Sequence, residues 1–440
     1  MLNRYQKTFL GIAVLASFGV SALSALAQEQ AQAPAGQAQQ GQQAPSGKQW
    51  KDRAEYDMYD AIIKATDPNK KLALINSWKE KYPTTDYSDE RLQLYLLTYQ
   101  QMGQGAKMVE IAKELLAKDP KSLQAMATIT ALTPDLNNTS PDALDLGEKA
   151  ARGIVQMEKP QGTADAEWNN LKAAAHRTLG WIAMQRKDNE TAEQEFKQSL
   201  KINPNNGVLS YWLGTVIVAQ KKPEKQSEAL YHFARAVAYD GQNAVPAQGR
   251  QQIETYLSKA YNSYHGQDPK GLAELKTLAK SSPFPPEDFK IKSATEIAIE
   301  EENRLKETNP PLALWMGIKK QLTDTNGEQY FSDNLKGAAV PGGAAGVQKL
   351  KGTLIAHKPA ARPTELVLGL ADPTLPEVTL KLDSALPGKA EPGTEIEFEG
   401  VPSAFTKDPE FMVTFDVERD KITGWPAQAP ARRAPVRRKK

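Results

Sequence analysis

The stretch LGWIAMQRKDNETAEQEFKQSLKINP, residues 179–204, decides how the rest of the chain is read. Its apolar and small residues recur at three and four places, break at the polar run Gln185–Glu190, and resume, which describes two short amphipathic helices joined by a tight turn. Leu179-Gly180 lies in the first helix. Ala192 and Phe196 sit four apart in the second, and Pro204 closes the unit. Neither helix can bury its apolar face alone, so the pair must stack on something of its own kind.

Copies are present on both sides. Trp212-Leu213-Gly214 is followed by Ala229, Phe233 and Ala236, with extra residues in the turn at Lys222-Pro223-Glu224 and Gly241 where a proline would stand. Upstream, Tyr95-Leu96 and Tyr99 precede Met108, Ala112, Leu115 and Pro120, and a further copy ends at Trp78 and Pro83. Two poorer copies carry Ile129 with Ala143, Gly147 and Ala150, and Leu257 with Tyr261, Leu275 and Pro283.

This pattern resembles the tetratricopeptide repeat, in which small residues let two antiparallel helices approach and an aromatic fills the space between them. The unit at 179–204 departs from it at Ala183, where the family has a tyrosine, and at Ser199, where a second alanine is usual. The resemblance implies a mostly α protein, an α-solenoid of about six degenerate repeats over residues 51–283. An irregular helical bundle is the other arrangement that the insertions allow.

Ser293 and Glu296 predict a capping box opening a helix through about Glu307; Asn309-Pro310-Pro311 stops it, and Leu312–Leu322 predicts a second short helix. With the Gly/Ala-rich run GAAVPGGAAG (337–346), residues 284–349 read as a helical cap to the array and a connector. That run lacks the Gly-Lys-Ser/Thr of a phosphate loop and follows no strand, so nucleotide binding is not expected there.

From Leu350 the period changes to two. GTLIAH (352–357), TELVLGL (364–370), EVTLKL (377–382), TEIEFEG (394–400) and FMVTFDV (411–417) predict five strands with one buried and one wet face. Residues 350–425 are therefore expected to form a small five-stranded antiparallel β barrel or sandwich, similar in strand number and length to an OB fold. Its outward positions are largely Glu, Thr and Asp rather than the aromatics and cations that grip nucleic acid, so only the shape is carried over.

The chain's ends have a different composition. Arg4 and Lys7 precede an uncharged run from Thr8 to Ala25, and Ala25-Leu26-Ala27 offers a small-x-small cleavage site. Residues 1–27 are thus read as a signal peptide, with an uncleaved anchor as the alternative, and the protein as exported to the periplasm or cell envelope, or secreted. Residues 28–50 are a Gln/Ala/Pro-rich spacer too poor in bulky apolar groups to order itself. Residues 426–440 form a basic tail carrying Arg432, Arg433, Arg437, Arg438, Lys439 and Lys440.

Chemistry is sparse. The chain has no cysteine and four histidines, His176, His232, His265 and His357, none at ligand spacing with a second histidine or a carboxylate. No catalytic elbow, zinc helix or calcium loop occurs, so no enzyme, cofactor or metal site is expected. Without Arg4 and Lys7 the 55 basic residues become 53 and match the 53 acidic ones; without the tail's six as well, 47 face 53. A mildly acidic body does not suit specific nucleic-acid binding.

The expected function is a non-enzymatic scaffold that binds other proteins in the cell envelope. The resemblance places the first helix of each unit on the concave side, which sets Arg177, Trp181 and Met184 beside Tyr211, Thr215 and Val218 of the next copy. Arg177, Trp181 and Met184 share one helical face, and the strip suits an extended peptide or a partner helix with apolar anchors and one acidic group. Trp181 either anchors that partner or packs between repeats. Two alternatives remain: a polyanion binder working through the tail, and an enzyme with an unrecognised C-terminal site.

The tail reading is open to direct test. If Arg432–Lys440 tethers the protein to lipid head groups, acidic glycans or nucleic acid, retention on heparin or anionic vesicles falls steeply with salt and is lost when the tail is deleted. Equal retention of the full and truncated chains at low salt places the binding elsewhere.

Overall fold

The computed structural model describes residues 50–426, so the expectations for residues 1–27, the spacer up to residue 49 and the tail from Arg432 to Lys440 lie outside the described residues. The chain divides into two compact units at Lys292/Ser293. Each is described by itself.

Among its described residues the first unit contains twelve α-helices in six consecutive pairs: α1 Arg53–Lys64 with α2 Pro68–Lys81, α3 Ser88–Gln101 with α4 Gly105–Lys118, α5 Leu123–Leu136 with α6 Pro141–Gln156, α7 Asp165–Gln185 with α8 Asn189–Ile202, α9 Gly207–Ala219 with α10 Gln226–Ala238, and α11 Ala247–Tyr264 with α12 Pro269–Ser281. Short side chains start many of them. Asp67, Ser122, Asp188, Asn206 and Asp268 each accept a hydrogen bond from a backbone N–H in the first turn that follows, satisfying a donor that the helix itself cannot.

Left-handed residues end the first helix of five pairs: Gly103 (φ 67°), Asn137 (φ 49°), Lys187 (φ 64°), Lys221 (φ 58°) and Gly266 (φ 103°). Behind α7 the turn is closed by Asp188 N–H donating to Ala183 O at 2.9 Å, and behind α3 by Gln104 N–H donating to Tyr99 O at 2.9 Å. That six-to-one bond is the Schellman closure, which turns the chain back so that the second helix can lie against the first. Lys187 and Lys221 hold, at corresponding places in neighbouring repeats, a conformation in which a Cβ is crowded.

Within a pair the small residue does what its spacing predicts. A Cβ built on Gly180 would lie 2.4 Å from the ring of Phe196, and one on Gly214 would lie 3.2 Å from the ring of Phe233. Phe196 is fully buried and Phe233 nearly so. The apolar side chains form two clusters, one from Ile62 to Leu179 and one from Leu144 to Ile291, whose ranges overlap in the middle of the array.

The second unit holds the helices α13 Ala294–Thr308, α14 Pro310–Thr323 and a short α15 Gly327–Tyr330 that runs on into a π-turn at Phe331–Leu335. Ser293 and Glu296 form the expected capping box, and Asn309 caps α14 where Pro310-Pro311 begins it. Its strands are β1 Leu350–Lys358, β2 Glu365–Gly369, β3 Val378–Leu382, β4 Glu395–Phe398, β5 Val401–Thr406 and β6 Met412–Val417.

Here the expectation of a five-stranded antiparallel barrel or sandwich is corrected. The sheet has six strands in the order β4-β1-β2-β3-β6-β5, and β3 pairs with β6 in parallel, Leu380 opposite Phe415. It is open and mixed, with β4 and β5 at its two edges although only Glu399 and Gly400 separate them in sequence. The extra strand is β5, VPSAFT, whose Pro402 argues against a strand and whose alternation is weak. An edge strand tolerates that proline because one side of it carries no ladder.

Trp315 of α14 is fully buried in one core with Leu350, Leu366, Leu380 and Phe415. Glu377, just before β3, is also buried: its carboxylate accepts from Trp315 Nε1 at 3.3 Å, from Leu370 N–H at 2.8 Å, from Ala371 N–H at 2.6 Å and from Lys319 Nζ. Burial pushes its pKa up, but Lys319 and the two backbone donors outweigh that and hold the carboxyl below its usual range.

Two substitutions in one repeat have opposite expected signs. Gly180→Ala drives a methyl into the Phe196 ring and lowers stability by about 1–3 kcal/mol, whereas Lys187→Gly relieves a left-handed side chain and raises it by up to about 1 kcal/mol. Urea unfolding at neutral pH measures both; a Gly180→Ala protein as stable as the parent contradicts the packing of the pair.

Candidate functional site

The six residues expected to line a partner groove separate into two groups. Arg177, Trp181 and Tyr211 are buried, whereas Met184, Thr215 and Val218 are half-buried. Trp181, 3 % exposed, belongs to the apolar cluster that also holds Tyr211, and Met184 and Val218 pack against that same cluster.

Arg177 is inside because α5 of the preceding repeat supplies an acceptor. Its Nη2 donates to Ala131 O at 3.2 Å and lies 3.9 Å from an Asp135 carboxylate oxygen. Burial pulls this arginine's pKa down, with Asp135 pulling the other way; burial also raises the Asp135 carboxyl, against the attraction of Arg177. A guanidinium so placed ties two repeats together. Beside it, Thr178 Oγ1 donates to Thr130 O at 2.8 Å across the same helix pair.

On α9, Tyr211 packs its ring against Phe233 at 6.2 Å between centroids, and burial raises its hydroxyl pKa. Thr215 donates its hydroxyl to Tyr211 O at 2.8 Å, one turn back along the same helix. The side chains with surface left to offer are therefore Met184 and Val218, both apolar, and Thr215 between them in sequence.

A second cluster joins the α7–α8 repeat to the α9–α10 repeat. Glu193 on α8, 5 % exposed, takes Lys197 Nζ at 2.6 Å and Lys225 Nζ at 2.6 Å, and also accepts from Gln220. Lys197 reaches on to Glu228 of α10 at 2.7 Å, and Glu228 lies 3.7 Å from Nε2 of the fully buried His232. Burial works to raise the Glu228 pKa, yet the Lys197 ammonium outweighs it and holds the carboxyl below its usual range. The signal in the sequence was the spacing of four in Glu193/Lys197 and Glu228/His232. Such pairs also occur on any wet helix face, which is how they read without their partners.

Elsewhere the chemistry is thin. Among the described residues no three or more His, Asp or Glu side chains are arranged to hold a metal ion, and no helix is long and apolar enough to cross a membrane. His176 is held by Glu195 at 2.7 Å, and His357 by the Ala390 carbonyl at 3.1 Å. An open depression in the second unit is lined by Asp383, Ser384, Glu418, Arg419 and Asp420.

No curated protein matches the chain. Among solved structures the chain is similar to a thermophilic TPR protein of Thermus thermophilus, at 15 % identity over 47 % of this chain and 95 % of that one, with a TM-score of 0.27. It is also similar to Pseudomonas aeruginosa PilF, at 11 % identity over 59 % of this chain and 95 % of that one, and to PilW, a widely conserved type IV pilus biogenesis factor, at 15 % identity with the same coverages, both at a TM-score of 0.33. Residues 173–206, which take in most of α7 and all of α8, match the tetratricopeptide repeat family.

Proposed function

We propose that this chain is an exported, non-enzymatic scaffold whose helical array binds another protein. The observation that carries the reading is the stack of six helix pairs, one of which, residues 173–206, matches the tetratricopeptide repeat. Stacked pairs of this kind present a long, continuous surface to a partner. The bulky residues of the expected strip are spent inside the array, so the contact surface narrows to Met184, Thr215 and Val218 on α7 and α9. Two flexible or branched apolar side chains around a hydroxyl suit an extended peptide or a helix with small apolar anchors.

Export rests on the N-terminal residues: two cations, an uncharged run and a small-x-small site are what a secretory leader requires. A partner would then be met in the cell envelope. The basic tail supplies a separate, nonspecific attraction to anionic surfaces.

The test begins with capture of the partner from envelope extract and its identification by mass spectrometry, and then turns to affinities with the purified partner. Met184→Ala and Val218→Ala are expected to leave the melting temperature nearly unchanged and to weaken binding about ten-fold or more together. Trp181→Ala is expected to cost about 3 kcal/mol or more of stability, because the ring is core. A Met184→Ala, Val218→Ala double variant that binds like the parent removes this face from the reading.

A further inference from the structure

Residues 282–291, SPFPPEDFKI, follow α12 with neither helix nor strand. Pro283, Pro285 and Pro286 have no N–H and cannot continue a helix, so the segment must satisfy its remaining polar groups on something else. It does so on α10. Arg235 Nη1 donates to Ser282 O at 2.7 Å; Tyr231 OH donates to Ser282 O at 3.1 Å and to Phe284 O at 2.9 Å; Ser227 Oγ donates to Ile291 O at 3.1 Å and accepts from Ile291 N–H at 3.1 Å. Ser227, Tyr231 and Arg235 are four residues apart, so one face of one helix holds the segment as a strap.

Two strap aromatics close on that face. Phe289 meets the Tyr231 ring edge-on at 5.3 Å, and Phe284 meets the His232 ring edge-on at 6.3 Å. His232 is fully buried, and neither ring nitrogen has a hydrogen-bond partner. Glu228 Oε1, at 3.7 Å, stands beyond hydrogen-bond length.

A second proton on the ring is opposed first by burial; of the charged groups around it Glu228 favours that proton, and Lys197 and Arg235 oppose it. On its own helix stand Glu228 and Arg235, and α8 contributes Lys197, whose ammonium is already shared between Glu193 and Glu228. On the other elements packed against α10, α9 has no charged residue, α11 carries Arg250, Glu254 and Lys259, and Lys276 and Lys280 of α12 are paired with Glu254 of α11 and with Asp240. The strap itself carries Glu287, Asp288 and Lys290. Burial, with Lys197 and Arg235 adding to it and Glu228 opposing, holds the imidazole below its ordinary pKa.

We propose that His232 is an acid-sensitive latch for the strap: uncharged, it is the dry floor on which Phe284 closes, and its protonation releases residues 282–291 from α10. Opening wets the ring and restores an ordinary pKa of about 6.5. The sign follows from linkage. Above that pH the ring is neutral in both states and closure keeps its full strength; below it the open state takes up a proton that the closed state resists, so closure weakens as pH falls. Between pH 7.5 and 5.5 the opening equilibrium grows about ten-fold.

Hydrogen exchange of the Ile291 amide in the full chain, corrected for intrinsic exchange rates, reads the strap directly. Protection is expected to fall about ten-fold from pH 7.5 to 5.5 in the parent and to stay within about two-fold in His232→Phe. Tyr231→Phe, which removes two strap hydrogen bonds, is expected to lower protection at both pH values and keep the ten-fold dependence. His265→Gln serves as a control, because His265 Nδ1 lies 2.7 Å from Lys292 O at the strap's end. The latch is overturned if the parent shows no pH dependence, if His232→Phe retains it, or if His265→Gln is the variant that loses it. Ring NMR provides a check that needs no variant: a His232 imidazole titrating near pH 6.5 while Ile291 stays protected overturns the proposal equally.

Discussion

A phenylalanine on the second helix of a pair fills the gap left by a glycine on the first. Phe196 against Gly180 and Phe233 against Gly214 set how closely α7 approaches α8 and α9 approaches α10, because each ring occupies the volume that a methyl would take. The rest of the array depends on that approach. Only when the helices of a pair are this close does the pair present a flat apolar side on which the next can stack, and only the stack, never one pair, removes enough apolar surface from water to offset the entropy of ordering the chain.

Packing of this kind is short-ranged and would tolerate sliding if it were purely apolar. Buried polar bonds fix its register. Glu55 holds Trp78 Nε1 within the first pair at 2.8 Å, Thr178 and Arg177 reach back to carbonyls of α5, Ser199 Oγ donates to Ala173 O at 2.8 Å, and Arg235 gathers four carbonyls from the ends of α12 and α8. A buried donor that loses its acceptor costs about 1–3 kcal/mol, so a shift of one residue at any of these places is opposed by more than the apolar contacts alone could supply.

What the sequence made legible was local. The helix pairs around Phe196 and Phe233 are readable because small and aromatic residues at fixed offsets act within one unit, and β1 to β4 and β6 are readable because alternation acts along one strand. Nonlocal features were not. Arg177 looks like a surface cation until Ala131 O arrives from another repeat to pair with it. The pattern around Trp181 fits core and surface equally, and its burial comes from neighbours that no local pattern names. The parallel pairing of β3 with β6 depends on two intervening strands, and β5 hides behind Pro402, which only an edge position excuses. The only local mark on His232 is its spacing of four from Glu228; its meaning lies in Phe284, a residue in a different element.

The buried polar bonds differ from one repeat junction to the next: a threonine and an arginine reaching for carbonyls at one, a carboxylate shared by two lysines at another, an arginine collecting loop carbonyls at a third. Each of these three junctions is consequently keyed. A chain built from near-identical units risks pairing any helix with the wrong neighbour while it folds, since every apolar face would accept every other. Here a helix that docks on the wrong partner leaves a charge or a hydroxyl buried without its mate. The divergence that makes the repeats hard to recognise in the sequence thus acts as the address system by which each one finds its place.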